Sequence, residues 1–153
     1  MLPVSFRDLA ADDLSDLDWS GGTAHLRAVA EAFAAASTGQ VDLLVGELPN
    51  RRLVALGGVD FRPLAGLGVS WMLAVHETVR ELGIGTALIE ALEDRARTRG
   101  CRAVRLSVEH DNPAAARLYA RLGYREVGTA VESWPIGERR TYVTVCTVLE
   151  RSL

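Results

Sequence analysis

The sequence predicts an α/β domain with a mixed sheet, and three observations carry that prediction. An apolar strand, Val69 to Val75, leads through Gly83 and Gly85 into an amphipathic helix, and a second strand, Ala103 to Val108, follows it. Strand, crossover helix and strand make a parallel connection. Two pairs of strand-like segments, Val41 to Phe61 and Tyr124 to Leu149, flank that unit and supply antiparallel strands. At 153 residues the chain reads as one domain, 1–153, large enough to bury roughly 70% of its unfolded surface.

Taken in order, Val4 to Arg7 alternates as a short strand, and Ala10 to Leu17 is a helical turn that Asp12 or Asp13 could start. After Gly21 and Gly22, Thr23 can cap a helix running to Ser37, with Leu26, Val29, Ala30 and Phe33 on one face. Val41 to Leu48 and Leu53 to Phe61 read as a hairpin, and Gly57 with Gly58 marks a bulge or the close approach of another backbone. In the central strand Val69, Trp71, Leu73 and Val75 alternate with Ser70, Met72 and Ala74. The following helix buries Ile84, Ala87, Leu88, Ala91 and Leu92, and leaves Glu90, Glu93, Asp94, Arg95 and Arg97 outside, with Glu93 paired to Arg97. Asn112 is a natural N-cap, Pro113 a natural first helical residue and Gly123 a natural stop. Tyr124 to Val131 and Thr141 to Leu149 close the chain as strands joined through Trp134 to Gly137.

Composition narrows the function classes. Apolar residues make up 48% and charged residues 24%, the balance of a soluble globular protein. A net charge of −3 leaves no basic field for nucleic acid or anionic lipid. No apolar run approaches the roughly 18 residues a membrane span needs, and the acidic N-terminal stretch has no signal core, so the expected location is cytoplasmic. Cys101 and Cys146 read as reduced packing residues. His25, His76 and His110 lack metal-ligand spacing, so no metal is expected.

The glycines after the central strand carry the chemistry. A strand that turns through glycines into a helix offers several free backbone N–H groups beside the positive end of the helix dipole, which is an anion site. A Walker loop would need Lys-Ser/Thr after its glycine, and Thr86-Ala87 stands there. A dinucleotide loop would need a third glycine where Leu88 stands. The remaining pattern, Arg/Gln-x-x-Gly-x-Gly/Ala, is met by Arg80, Gly83 and Gly85. Downstream, Asn112, Ala115, Leu118, Tyr119, Gly123 and Tyr124 fall on N-x-x-A-x-x-L-Y-x-x-x-G-F/Y.

These two motifs, in this order and separated by one helix, resemble the GNAT N-acetyltransferase superfamily, strongly over Ser70 to Val127 and loosely in element order elsewhere. Glu77 and Glu81 depart from the pattern, standing where the family often has proline and glycine. The resemblance implies a single-domain acetyl-CoA N-acyltransferase fold, an α/β mixed sheet of about six to seven strands splayed in the middle and flanked by about four helices. It implies acetyl-CoA as co-substrate, its phosphates at the loop of Arg80, Leu82, Gly83, Ile84, Gly85 and Thr86. Its pantetheine arm would pair with the backbone at Leu73 and Val75, with Asn112 and Ala115 nearby. A primary amine would attack the thioester directly, the Leu73 amide could stabilise the oxyanion, and Tyr119 would protonate the leaving thiolate. A homodimer is left open.

Several residues carry two readings. Tyr119 lies with Ala115, Leu118 and Leu122 on an apolar helix face, as core or as proton donor. Asn112 caps its helix and contacts cofactor, or only caps; Arg80 is a phosphate neighbour or a solvated charge. For a general base, Glu109 leads over His76, His110, Glu47 and Asp60, each of which is otherwise an ordinary surface group. Trp19 and Trp134 fall in the two connections that flank the acceptor cleft in relatives, while Trp71 reads as packing. A catalytically silent acyl-CoA sensor or partner-binding module on the same fold is the alternative function, and a nucleotide-binding enzyme a more distant one.

Overall fold

A parallel pair at the centre of an otherwise antiparallel sheet organises the molecule. The computed structural model describes residues 2–153. Its strands are β1 (Ser5–Asp8), β2 (Val41–Glu47), β3 (Leu53–Asp60), β4 (Leu67–Val75), β5 (Ala103–Glu109), β6 (Arg125–Pro135) and β7 (Thr141–Ser152). They form one sheet of 7 strands in the order β1-β2-β3-β4-β5-β7-β6. Among the described residues only β4 and β5 run parallel. The helices are α1 (Thr23–Ser37), α2 (Ile84–Thr98) and α3 (Pro113–Arg121), joined by short 3-10 turns at Ala11–Asp16, Asp18–Ser20 and Glu77–Val79. The mixed α/β architecture expected from the sequence is what forms.

The two faces of the sheet hold separate cores. On one, α1 and the first turns pack Leu17, Val29 and Ala32 against Leu43, Val45 and Leu56. On the other, Ile84, Leu88 and Leu92 of α2 cover Leu44, Val54, Ala55 and Val59. Each of those large α2 side chains contributes about 1.5–3 kcal/mol by leaving water. Beside them, Tyr119 of α3 joins Ile89, Leu106, Val108, Tyr124 and Leu149.

Several local expectations change. Gly22, with no side-chain bond, precedes α1, and Thr23 is the first helical residue rather than its cap. Ala32 is buried where Ala30 was expected, because α1 meets the sheet through Val29, Ala32 and Phe33. Asp13 does not start its turn but sits inside it, accepting the Ala10 N–H at 2.7 Å. β6 runs on to Pro135, so Trp134 lies in a strand opposite Tyr142 and not in the connection.

The largest change concerns α2. Glu93 is buried, at 1% exposure, and bonds Tyr124 and Arg151, while Arg97 pairs with Asp94 at 2.8 Å. Tyr124, just after α3, and Arg151, near the end of β7, reach the side of α2 that helical periodicity leaves to solvent.

Candidate active site

A cleft opens where β4 and β5 part. Their pairing covers only Leu67 with Ala103, Gly68 with Val104 and Val69 with Arg105. Beyond that point β4 bulges: its register against β3 shifts between Leu56 and Gly58, and Met72 takes φ +59°. Met72 and Leu73 thus stand opposite the single residue Gly57, which bends the strand and turns its later side chains over. The expected alternation of Val69, Trp71, Leu73 and Val75 is therefore broken. Trp71, Met72 and Ala74 pack toward α1, whereas Leu73 and Val75 pack toward α2.

Glycine is required on the facing strand, since a Cβ on Gly58 would lie 2.6 Å from the Trp71 ring. Between the parted strands lies a cavity of about 800 Å³, walled by Val69 to Leu73 on one side and Leu106 to Glu109 on the other.

The start of α2 adjoins the tip of β4. Gly83 precedes the helix in the left-handed conformation, φ +83°, and no side chain caps it. The first helical bond runs from Ala87 N–H to Gly83 C=O at 3.1 Å, so the amides of Ile84, Gly85 and Thr86 lack intrahelical acceptors. A Cβ on Gly85 would meet only a Val75 methyl, at 3.9 Å. Open space over free amides at a helix start fits a phosphate. Arg80 folds back to donate from Nε to the Val75 carbonyl at 3.3 Å, and Leu82 is 49% exposed at the lip.

Tyr119 enters the cavity from α3. Asn112 caps that helix by accepting the Ala115 N–H at 3.2 Å, with Pro113 in its first turn. The Tyr119 ring is 8% exposed and meets Tyr124 edge-on at 5.4 Å. Among the described residues its hydroxyl has no hydrogen-bond partner, and burial pushes its pKa up to about 12. It therefore stays protonated throughout the neutral range.

The far end of the cavity is acidic and aromatic. Glu109 accepts from the Tyr142 hydroxyl at 2.7 Å, and Glu132 from the Ser107 hydroxyl at 3.0 Å. Trp134 and Tyr142 pack ring to ring at 4.9 Å. Asp60, on the rim, is held by Arg62 through bonds of 2.9 Å to each carboxylate oxygen. Burial works against the charge on Asp60, but those bonds keep its carboxyl below the usual range. His25 also lines the cavity, and burial lowers its imidazole pKa.

A family model described as Acetyltransferase (GNAT) family matches residues 9–124. The chain belongs to the GNAT acetyltransferase family. Acetyltransferase ECA0875 of Pectobacterium atrosepticum is 36% identical over 87 residues, 57% of this chain and 59% of that protein. The matched stretch thus spans about three fifths of that relative's length. Among solved structures, spermidine N-acetyltransferase of Vibrio cholerae, in complex with CoA and spermine, superposes with TM-score 0.77 at 18% identity, covering 97% of this chain and 95% of that one. Ribosomal-protein-alanine N-acetyltransferase of Brucella melitensis superposes with TM-score 0.74 at 19% identity, covering 97% and 99%. At such identities the likeness is one of fold.

Within this GNAT fold the expected site residues fall into two groups. Leu73, Asn112, Ala115, Tyr119 and Glu109 line the cavity. Val75, Arg80, Leu82, Gly83, Gly85 and Thr86 gather at the adjoining helix start, where Ile84 offers only its amide because its side chain is 2% exposed in the core.

Other expectations are corrected. Trp19 is not part of the cleft wall: it packs into the α1 core and lies 5.3 Å from His76. Glu47 is bound to Arg7, and the His76 ring to Thr78. Trp71, expected as packing, does line the cavity.

Sequence reading missed Met72, Ser107, Glu132 and Tyr142. Glu132 and Trp134, two apart on a strand, carried a usable signal: they share one face.

Proposed function

We propose that this chain is an N-acetyltransferase that passes the acetyl group of acetyl-CoA to a primary amine by direct attack. The observation that carries this reading is that the cavity lined by Tyr119 opens between the parted strands, and that the tip of β4, one of those strands, adjoins the uncapped start of α2. The free amides of Ile84, Gly85 and Thr86 would take the pyrophosphate, and the outer backbone of β4 at Leu73 and Val75 would pair with the pantetheine. The Met72 bulge leaves backbone without a strand partner beside Leu73, where an amide could stabilise the oxyanion.

The amine reaches the thioester from the acidic end. Its nitrogen forms the C–N bond and the C–S bond breaks. Glu109 takes the proton the amine must lose, and the Tyr119 hydroxyl donates a proton to the thiolate. A pKa pushed up to about 12 suits Tyr119 to donation, because the proton is present at neutral pH.

The test is thiol release from acetyl-CoA across a panel of primary amines, run beside calorimetry with CoA. Release with at least one amine supports transfer. Tight CoA binding with no release on any amine would favour the silent acyl-CoA sensor instead.

A further inference from the structure

Among the described residues, two carboxylates in the cleft have no cation of the protein paired with them. Glu109 and Glu132 are each held by a neutral hydroxyl, Tyr142 at 2.7 Å and Ser107 at 3.0 Å, and neither forms an ion pair among the described residues. A hydroxyl donor orients a carboxylate without cancelling it. The chain contains no lysine, and among the described residues no arginine lines the cavity. Asp60 differs, because Arg62 already neutralises it. His25, the remaining basic group on the wall, is biased toward its neutral form by burial.

Trp134, two residues from Glu132 on β6, lines the cavity and remains 42% exposed, and it packs on Tyr142, whose hydroxyl holds Glu109. A carboxylate next to an exposed aromatic ring accommodates an organic cation through both charge and ring face.

We infer that the acceptor is a dication: an amine with a second, non-reacting cationic group that sits against Glu132 and the exposed Trp134 ring while the reacting amine faces Glu109. This rests on the proposed acetyl transfer for which end of the acceptor reacts. The division of roles follows from position. Glu109 ends β5, on the wall that Tyr119 also joins, whereas Glu132 and Trp134 lie on β6 at the sheet edge.

The experiment compares straight-chain diamines with monoamines of equal length, by thiol release and by titration of the CoA-loaded protein followed through tryptophan fluorescence. For the best chain length, the diamine should show kcat/KM and affinity at least about tenfold above the monoamine. Glu132→Gln should collapse that preference, and Trp134→Ala should reduce it. A preference that persists in Glu132→Gln, or diamine and monoamine binding alike in the wild type, overturns the inference. Preferential diamine binding lost in Glu132→Gln, with no thiol release from any amine, would support the cation subsite and sink the transfer reading.

Discussion

The Tyr124 hydroxyl donates a 2.8 Å hydrogen bond to Oε2 of Glu93, a helix carboxylate that is 1% exposed. The second oxygen of Glu93 accepts from Arg151 at 2.8 Å, which ties α2 to β7. Arg151 keeps some solvent access, its side chain being 33% exposed, but Tyr124 is buried. Removing the carboxylate leaves the tyrosine hydroxyl without its partner and opens a small void. Glu93→Ala should lower unfolding stability by about 2–4 kcal/mol. A urea melt with an unchanged midpoint would show that the buried pair contributes nothing net.

That pair also marks where sequence reading stops. The strand, helix and hairpin pattern was legible because turns, caps and periodicity are local: Asn112, Pro113 and Gly123 delimit α3 from their own chemistry. So was the glycine loop, although its left-handed φ falls on Glu81 (+65°) as well as on Gly83 (+83°). Glu93 was not legible, because its burial depends on Arg151, 58 residues on. Nor was the Met72 bulge, since a methionine with positive φ announces nothing; the double glycine on β3 hinted at it only from the partner strand. The acidic end of the cleft stayed hidden for the same reason, as Ser107, Glu132 and Tyr142 come from three strands.

The helix start can be tested at Gly85. Gly83 is the poorer choice, because its left-handed φ of +83° would cost a side chain about 1–2 kcal/mol in backbone strain. Gly85 is inside α2, and a Cβ there touches nothing closer than 3.9 Å. Gly85→Val should therefore fold with little loss while filling the space over the amides. CoA affinity should fall by roughly tenfold or more, the scale of a lost charge-assisted hydrogen bond. Equal affinity by calorimetry would move the phosphate site elsewhere.

Acid stability should depend on Asp13. Arg7 bonds it at 2.7 and 2.9 Å, and these bonds hold its carboxyl below the ordinary value of 3.8 despite burial. A depressed folded pKa contributes stability that is present above the unfolded value and lost as pH falls through the folded one. Arg7→Met should cost about 1–3 kcal/mol at neutral pH, and its melting curve should converge with the wild type as pH drops below 3.8. Curves that stay parallel into acid would remove Asp13 from the account.

Tyr119 decides whether the cleft does chemistry. Its hydroxyl makes no bond to the described residues, so deleting it leaves nothing in the core unsatisfied, and the ring keeps its edge contact with Tyr124. Tyr119→Phe should therefore melt within a few tenths of a kcal/mol of the wild type near neutral pH. At alkaline pH the variant gains an advantage. The wild-type tyrosine, with its folded pKa raised from 10.0 to about 12, loses stability as pH rises through that window, and phenylalanine has no such loss. Catalysis should move the other way. If the hydroxyl protonates the leaving thiolate, kcat should fall by roughly 10²–10⁴-fold, with KM for acetyl-CoA little changed. Steady-state thiol release on the best amine measures both. A full-rate Tyr119→Phe enzyme would leave this residue as packing and require another proton donor.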